Sequence, residues 1–233
     1  ALARREAPVP RRELPRLAVL GLLMVGASNL FTTLGQQQLS TGVGGLLNAC
    51  ISLWIVLLSA RQERHPRRVW VGVALGLAGV ALLLLPGRTQ QVTWMGFACM
   101  MASTWSFAWS ALRLRRHPVT GGLAWILVVQ MGASGLFLTA LALLQGGCFH
   151  APMTTRALTA FLYLVAVPSL LAYGAFAVLS RLWSPGRFGS YAVLTPVVAV
   201  GLGVGFLQEP LTLRMLLAMA VIVGGVALVQ IRR

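Results

Sequence analysis

The chain has 233 residues, of which 58% are hydrophobic and 10% charged, with a mean hydropathy of +0.81. Soluble domains carry about a quarter charged residues, so this composition cannot build a water-exposed surface, and disordered chains are poorer in apolar residues than this one. The net charge of +15 does not point to nucleic acid as a partner: the arginines stand in short clusters between apolar runs, where no groove-binding surface forms.

At about 20 apolar residues per span, the runs predict helices at 17–36, 41–60, 69–86, 93–112, 121–145, 157–180, 188–207 and 212–231. Turn or breaker residues separate them, among them Ser40, Thr41 and Gly42, then His65 and Pro66, Pro86 and Gly87, His117 and Pro118, Ser184 to Gly186, and Glu209 and Pro210. The expected class is an all-α polytopic membrane protein with about eight transmembrane helices, and the lipid bilayer is its first partner.

Every basic residue is arginine, with no lysine or aspartate; the acids are Glu6, Glu13, Glu63 and Glu209. Sixteen arginines fall in alternate connections (residues 1–16, 61–68, 113–120, 181–187 and 232–233), against Arg88, Arg156 and Arg214 in the others. Positive charge marks the cytoplasmic face, so both visible termini are expected there, in a multi-pass protein of the inner membrane. Cys50 and Cys99 read as small buried hydrophobes, and Cys148 lies in a loop with no evident partner. No metal-ligand cluster, phosphate loop or deep acid–base pair is present in the sequence, so neither metal, cofactor nor enzyme chemistry is expected.

An internal repeat follows from the punctuation. Gly42 falls on Gly186, 144 positions on, and Gly79 on Gly225, 146 positions on; Glu63 falls on Glu209 and Arg68 on Arg214. Each copy has a polar turn, a helix, a link holding a Glu and a Pro, and a helix closing on Gly-Val-Ala-Leu. The links lie on opposite faces, so the copies have inverted topology, a pattern found in secondary transporters.

Ala172 and Tyr173 precede a helix carrying Leu194-Thr195-Pro196-Val197-Val198; then come Leu207-Gln208-Glu209-Pro210-Leu211-Thr212 and the closing Gly224-Gly225-Val226-Ala227-Leu228. In the first half Leu47 to Leu53 and Gly72 to Leu85 follow the same order. This pattern resembles the EamA-type ten-helix carriers of the drug/metabolite transporter (DMT) superfamily. The resemblance implies two five-helix repeats. Here 1–16 reads as a cytoplasmic arginine-rich loop, 17–86 as a partial first repeat of three helices and 93–231 as a complete second repeat, with two helices expected before Ala1. Ser52 stands where the family's proline is expected, and the glutamate of the first link is shifted to Glu63. The function implied is a secondary transporter of a small organic solute, exporting a metabolite or drug by alternating access. The alternative is a truncated or assembly-only membrane protein, and a homodimer is a second way to complete the bundle, as small family members dimerise.

Asn48, Ser52, Trp105, Gln130, Tyr173 and Pro196 are the expected solute-binding residues. Pro196 frees a backbone carbonyl at mid-helix, and also suits a packing kink beside Gly201 and Gly205, spaced like Gly72 and Gly76. Trp105 and Trp109, one turn apart, offer a stacking wall, or serve as packing residues. Trp70, Trp94, Trp125 and Trp183 read as interface residues. Glu209 reads as the start of the last helix, where negative charge suits the helix dipole, and Glu63 as a loop charge.

Overall fold

The computed structural model describes residues 7–61, 63–85, 92–146, 154–172, 174, 175, 178 and 185–230. Among them the helices, in chain order, are α1 (Leu14–Gln36), α2 (Thr41–Ser59), α3 (Arg67–Leu84), α4 (Trp94–Arg116), α5 (Leu123–Leu144), α6 (Thr155–Leu164, continuing through Val165–Ala172), α7 (Pro185–Leu207) and α8 (Leu213–Gln230). No strand occurs among the described residues. Each helix falls on one of the eight apolar runs. Five of them, α1, α2, α3, α5 and α8, are long and apolar enough to cross a membrane. α4 is equally long, but carries buried Ser103, Thr104, Ser106 and Ser110 and ends in Arg113, Arg115 and Arg116. The chain is an all-α polytopic membrane protein.

Local chemistry sets the helix starts. Hydroxyls of Ser40, Thr93, Thr154 and Thr212 accept the amides of Val43, Gly96, Ala157 and Met215, each supplying a partner to a first-turn donor that the helix cannot pair itself. The three arginines of the last turn of α4 face the negative end of its dipole.

Two antiparallel helix pairs organise the packing. In the first, α3 crosses α8 with backbones in contact. A Cβ on Gly72 would stand 2.6 Å from the Gly225 carbonyl oxygen, and one on Gly225 2.7 Å from the Gly76 nitrogen. Further along, Gly79 faces Ala218 and Ile222. Contacts that climb one helix while descending the other define the antiparallel sense. In the second pair α2 lies on α7: Gly45 abuts the Ala199 methyl, and Gly203 sits 3.5 Å (Cβ position) from the Gly42 nitrogen. Small residues let helices approach until dispersion and Cα–H contacts hold them, because lipid removes the hydrophobic drive for association. The buried cluster of Val43, Leu46, Leu53, Val73, Met215 and Ile222 joins the two pairs, and α1 packs separately on α4 and α5.

One expected packing motif is corrected. Gly72 and Gly76 line a helix crossing, but Gly201 and Gly205 have nothing within 4 Å of their Cβ positions among the described residues. On α7 the close contacts belong to Gly203 and Ala199, which lie on the side facing α2. Spacing alone does not say which face a glycine occupies.

The crossing is testable by two neighbouring glycines. Gly225→Ala would push a methyl into immovable backbone and is expected to cost about 1–3 kcal/mol. Gly224, whose Cβ position is open, should tolerate Ala, with a gain of up to about 1 kcal/mol from helix propensity. Thermal unfolding of both variants in detergent checks the contrast.

Candidate functional site

Helices in hydrocarbon must pair their own backbone, so departures from regular pairing need local compensation. Among the described residues four departures occur. α1 widens into a π-helical stretch at Leu22–Ala27. Hydroxyls from neighbouring helices collect its carbonyls: Ser134 of α5 donates to Gly21 (2.9 Å), Ser106 of α4 to Leu23 (2.7 Å) and Ser103 to Ser28 (2.8 Å). The approach is close because Gly21 leaves room for the backbone of Gln130, whose Cα lies 2.5 Å from the glycine's Cβ position. α6 likewise continues as a π-helix over Val165–Ala172, a stretch containing Pro168, which has no amide hydrogen to donate.

The other two departures lie in the second antiparallel pair. α2 breaks at Ala49, where the Ala49 amide donates to Leu46 (3.1 Å) and the Ser52 amide to Ala49 (3.2 Å), each spanning three residues instead of four. α7 carries Pro196 in its interior, fully buried. Asn48 and Ser52 are half-buried on either side of the break in α2, and Gln230 of α8 reaches the Ser52 hydroxyl at 3.5 Å. An open apolar recess of about 400 Å³ runs along α7 past Leu194, Thr195, Val198, Ala199 and Leu202.

A polar seam therefore runs between α1, α4 and α5. Thr32 and Ser103 share a 2.7 Å hydrogen bond, and Trp54 of α2 extends the seam by donating its indole N–H to Thr104 (3.2 Å). Gln130 and Ser110 are buried, and neither Gln130 Nε2 nor Ser110 Oγ has a hydrogen-bond partner among the described residues. Trp105 is 44% exposed and stacks on Trp109, with ring centroids 6.4 Å apart, and the Arg113 guanidinium lies 4.9 Å from the Trp109 ring centre.

The expected site residues thus divide. Asn48, Ser52 and Pro196 belong to the interrupted pair α2 and α7; Gln130 belongs to the seam; Trp105 stands on an exposed face of α4. Tyr173 lies outside the described residues, as do Cys148 and Trp183. Sequence reading missed Trp54 and Ser103. Their signals were a tryptophan at mid-span instead of an end, and hydroxyls at 103, 106 and 110 on one helical face. Trp70, Trp94 and Trp125 are exposed near helix ends, as interface residues are.

Glu209 is corrected. It does not start its own helix: α8 begins at Leu213 and Thr212 caps it. The Glu209 carboxylate instead accepts the amides of Thr41 (2.6 Å) and Gly42 (3.0 Å), at the positive end of α2. The dipole argument holds, but the helix it serves is distant in sequence. Glu63 is exposed in its loop.

These hydrogen-bonding groups are uncharged and lie between apolar helices. Among the described residues, no group of three or more His, Cys, Asp or Glu side chains gathers to hold a metal. Fold and seam together define a multi-pass membrane protein with a polar seam among its helices. Residues 92–231 match the EamA-like transporter family. The uncharacterized inner membrane transporter YedA of Escherichia coli K12 is 31% identical over 225 residues, covering 95% of this chain and 72% of its own. The uncharacterized transporter YvbV of Bacillus subtilis is 24% identical over 160 residues, covering 69% of this chain and 52% of its own. An uncharacterized transporter of Archaeoglobus fulgidus is 24% identical over 238 residues, covering 95% and 79%. The chain belongs to the EamA-like transporter family of the drug/metabolite transporter superfamily. It is a membrane transporter by family.

The seam itself can be probed. Ser103→Ala and Ser106→Ala should each cost about 0.6 kcal/mol and at most about 1.7, the range for interhelical hydrogen bonds in membranes. Unfolding of the purified variants in detergent measures it; no loss in either would contradict the assigned bonds.

Proposed function

We propose that this protein exports a small organic solute across the inner membrane by alternating access, with 17–86 and 93–231 acting as a partial and a complete inverted repeat. The antiparallel pairing of α3 with α8 supports this division: the two helices are 18 residues each and are sequence counterparts, since 67 and 213, and 84 and 230, differ by the same 146 positions. The match at 92–231 supports the boundary of the second repeat. The arginine distribution supports cytoplasmic termini, and the name of the Escherichia coli relative supports the inner membrane.

The observation that carries the solute class is the buried seam, in which, among the described residues, Gln130 Nε2 and Ser110 Oγ have no hydrogen-bond partner and no carboxylate takes part. Such a site recognises acceptor groups on a neutral or zwitterionic molecule by hydrogen bonding, while Trp105, on the exposed face of α4, stands apart from the seam. Asn48, Ser52 and Pro196 contribute backbone and side-chain polar groups from the interrupted helices, and Tyr173 completes the proposed set.

Counterflow in proteoliposomes, using a panel of labelled neutral amino acids, polyols and heterocycles, tests the proposal. The purified protein should accumulate at least one neutral solute when preloaded with it. Gln130→Leu should raise the KM for that solute about three- to tenfold, the worth of one neutral hydrogen bond, without loss of the folded protein. Absence of counterflow across the panel would favour an assembly-only role.

A further inference from the structure

We propose that Glu209 is a releasable latch that closes the arginine-poor face by holding the start of α2 against the connection between α7 and α8. This meaning rests on the alternating-access reading, although the contact itself does not.

Five observations converge on the latch. The carboxylate accepts two successive amides at the start of α2, from Thr41 at 2.6 Å and Gly42 at 3.0 Å. Those donors have no partner within their own helix, and an anion there gains from the helix dipole. Gly203 makes room for the carboxylate, since a Cβ there would lie 2.7 Å from Oε2. The Glu209 amide turns back to donate to the Gly203 carbonyl (3.1 Å), folding the connection over the end of α7. Gln208, just before it, has φ 52°, left-handed backbone that a residue with a side chain adopts only when its surroundings hold it there. Beneath the carboxylate, Gly42 receives the Met215 methyl and Gly45 the Ala199 methyl.

The two antiparallel pairs therefore differ in kind. At the α3–α8 crossing, backbone meets backbone through Gly72, Gly76 and Gly225, and separation would leave voids that water cannot usefully fill. At the α2–α7 contact the closing bonds lie at the end of the helices, with Thr41 exposed and Glu209 half-buried. Water can replace these bonds one for one when the face opens. A carrier that alternates needs one interface that persists and another whose bonds exchange with water.

Hydrogen–deuterium exchange of the intact protein in lipid nanodiscs tests the latch without any solute. In E209Q, a side chain with one acceptor oxygen replaces one with two. Amides in the first turn of α2 should then exchange at least about tenfold faster, while segments around Gly72–Gly79 and Gly225 keep the native rate. Gly203→Ala, which crowds an intact carboxylate, should accelerate the same segment. It also supplies the answer if E209Q does not fold. Unchanged exchange at α2 in the folded variants would overturn the proposal. So would acceleration spread equally over α3 and α8, which marks general loosening. A protein that shows the local effect but no counterflow would retain the latch and lose the carrier reading.

Discussion

The structure depends on one constraint: inside a bilayer there is no water to satisfy a stray backbone group, so each must find a partner within the protein. Regular helices meet this constraint unaided, which is why eight apolar runs become eight helices. The informative places are those where regular pairing fails. The widened turn at Leu22–Ala27, the break at Ala49, the widened stretch around Pro168 and the interior Pro196 each disturb the backbone within an apolar run. Where the disturbance lies beside α4 and α5, serine hydroxyls collect the carbonyls, and this repair assembles the polar seam. Polarity at depth thus arises from helix irregularity, and solute recognition is proposed to use the donors left over.

Glycine and glutamate divide the mechanical roles. Gly72, Gly76 and Gly225 bring two backbones into direct contact, with the side chains of Val229 and Leu53 closing around the glycines. Glu209 spans the other pair with two hydrogen bonds and a favourable dipole, interactions whose strength depends on water being kept away. Both pairs pack through small residues, but only the second is also closed by an electrostatic contact at its end, and that contact is the one that solvent can open. The broken α2 and the proline-bearing α7 belong to this second pair, where bending at Ala49 and Pro196 needs least disruption of regular hydrogen bonds.

The fold was largely legible in the sequence, because span length and hydropathy are nearly sufficient in a membrane. The inverted order of punctuation also led to the family, since Pro196, the Glu209-Pro210 link and the closing glycines stand in a fixed sequence. Individual contacts were less legible. Gly72/Gly76 and Gly201/Gly205 have the same spacing, yet among the described residues only the first pair faces another helix, because helix rotation is set by partners that spacing does not identify. Glu209 was read correctly as a dipole partner and placed on the wrong helix, since adjacency in sequence favoured α8 while the fold brought α2 closer. Gln130 could be singled out as polar at mid-span, but its burial against Gly21 depends on a π-helical turn for which the run Leu22 to Ala27 gives no evident signal. Trp54 stands at mid-span, but its role rests on the indole aimed at Thr104, which its position in the sequence does not show.

The most direct test of a carrier with one fixed and one opening interface is a pair of electron–electron distance measurements in nanodiscs. Spin labels at Thr41→Cys and Leu211→Cys report on the latched face, and labels at Val71→Cys and Leu217→Cys report on the glycine crossing. All four positions are exposed. The 41–211 pair should show two populations, the longer one gaining in the E209Q background, while the 71–217 pair keeps a single narrow distance. A single unchanged distance at 41–211, or two populations at 71–217, would contradict the division between fixed and opening interfaces.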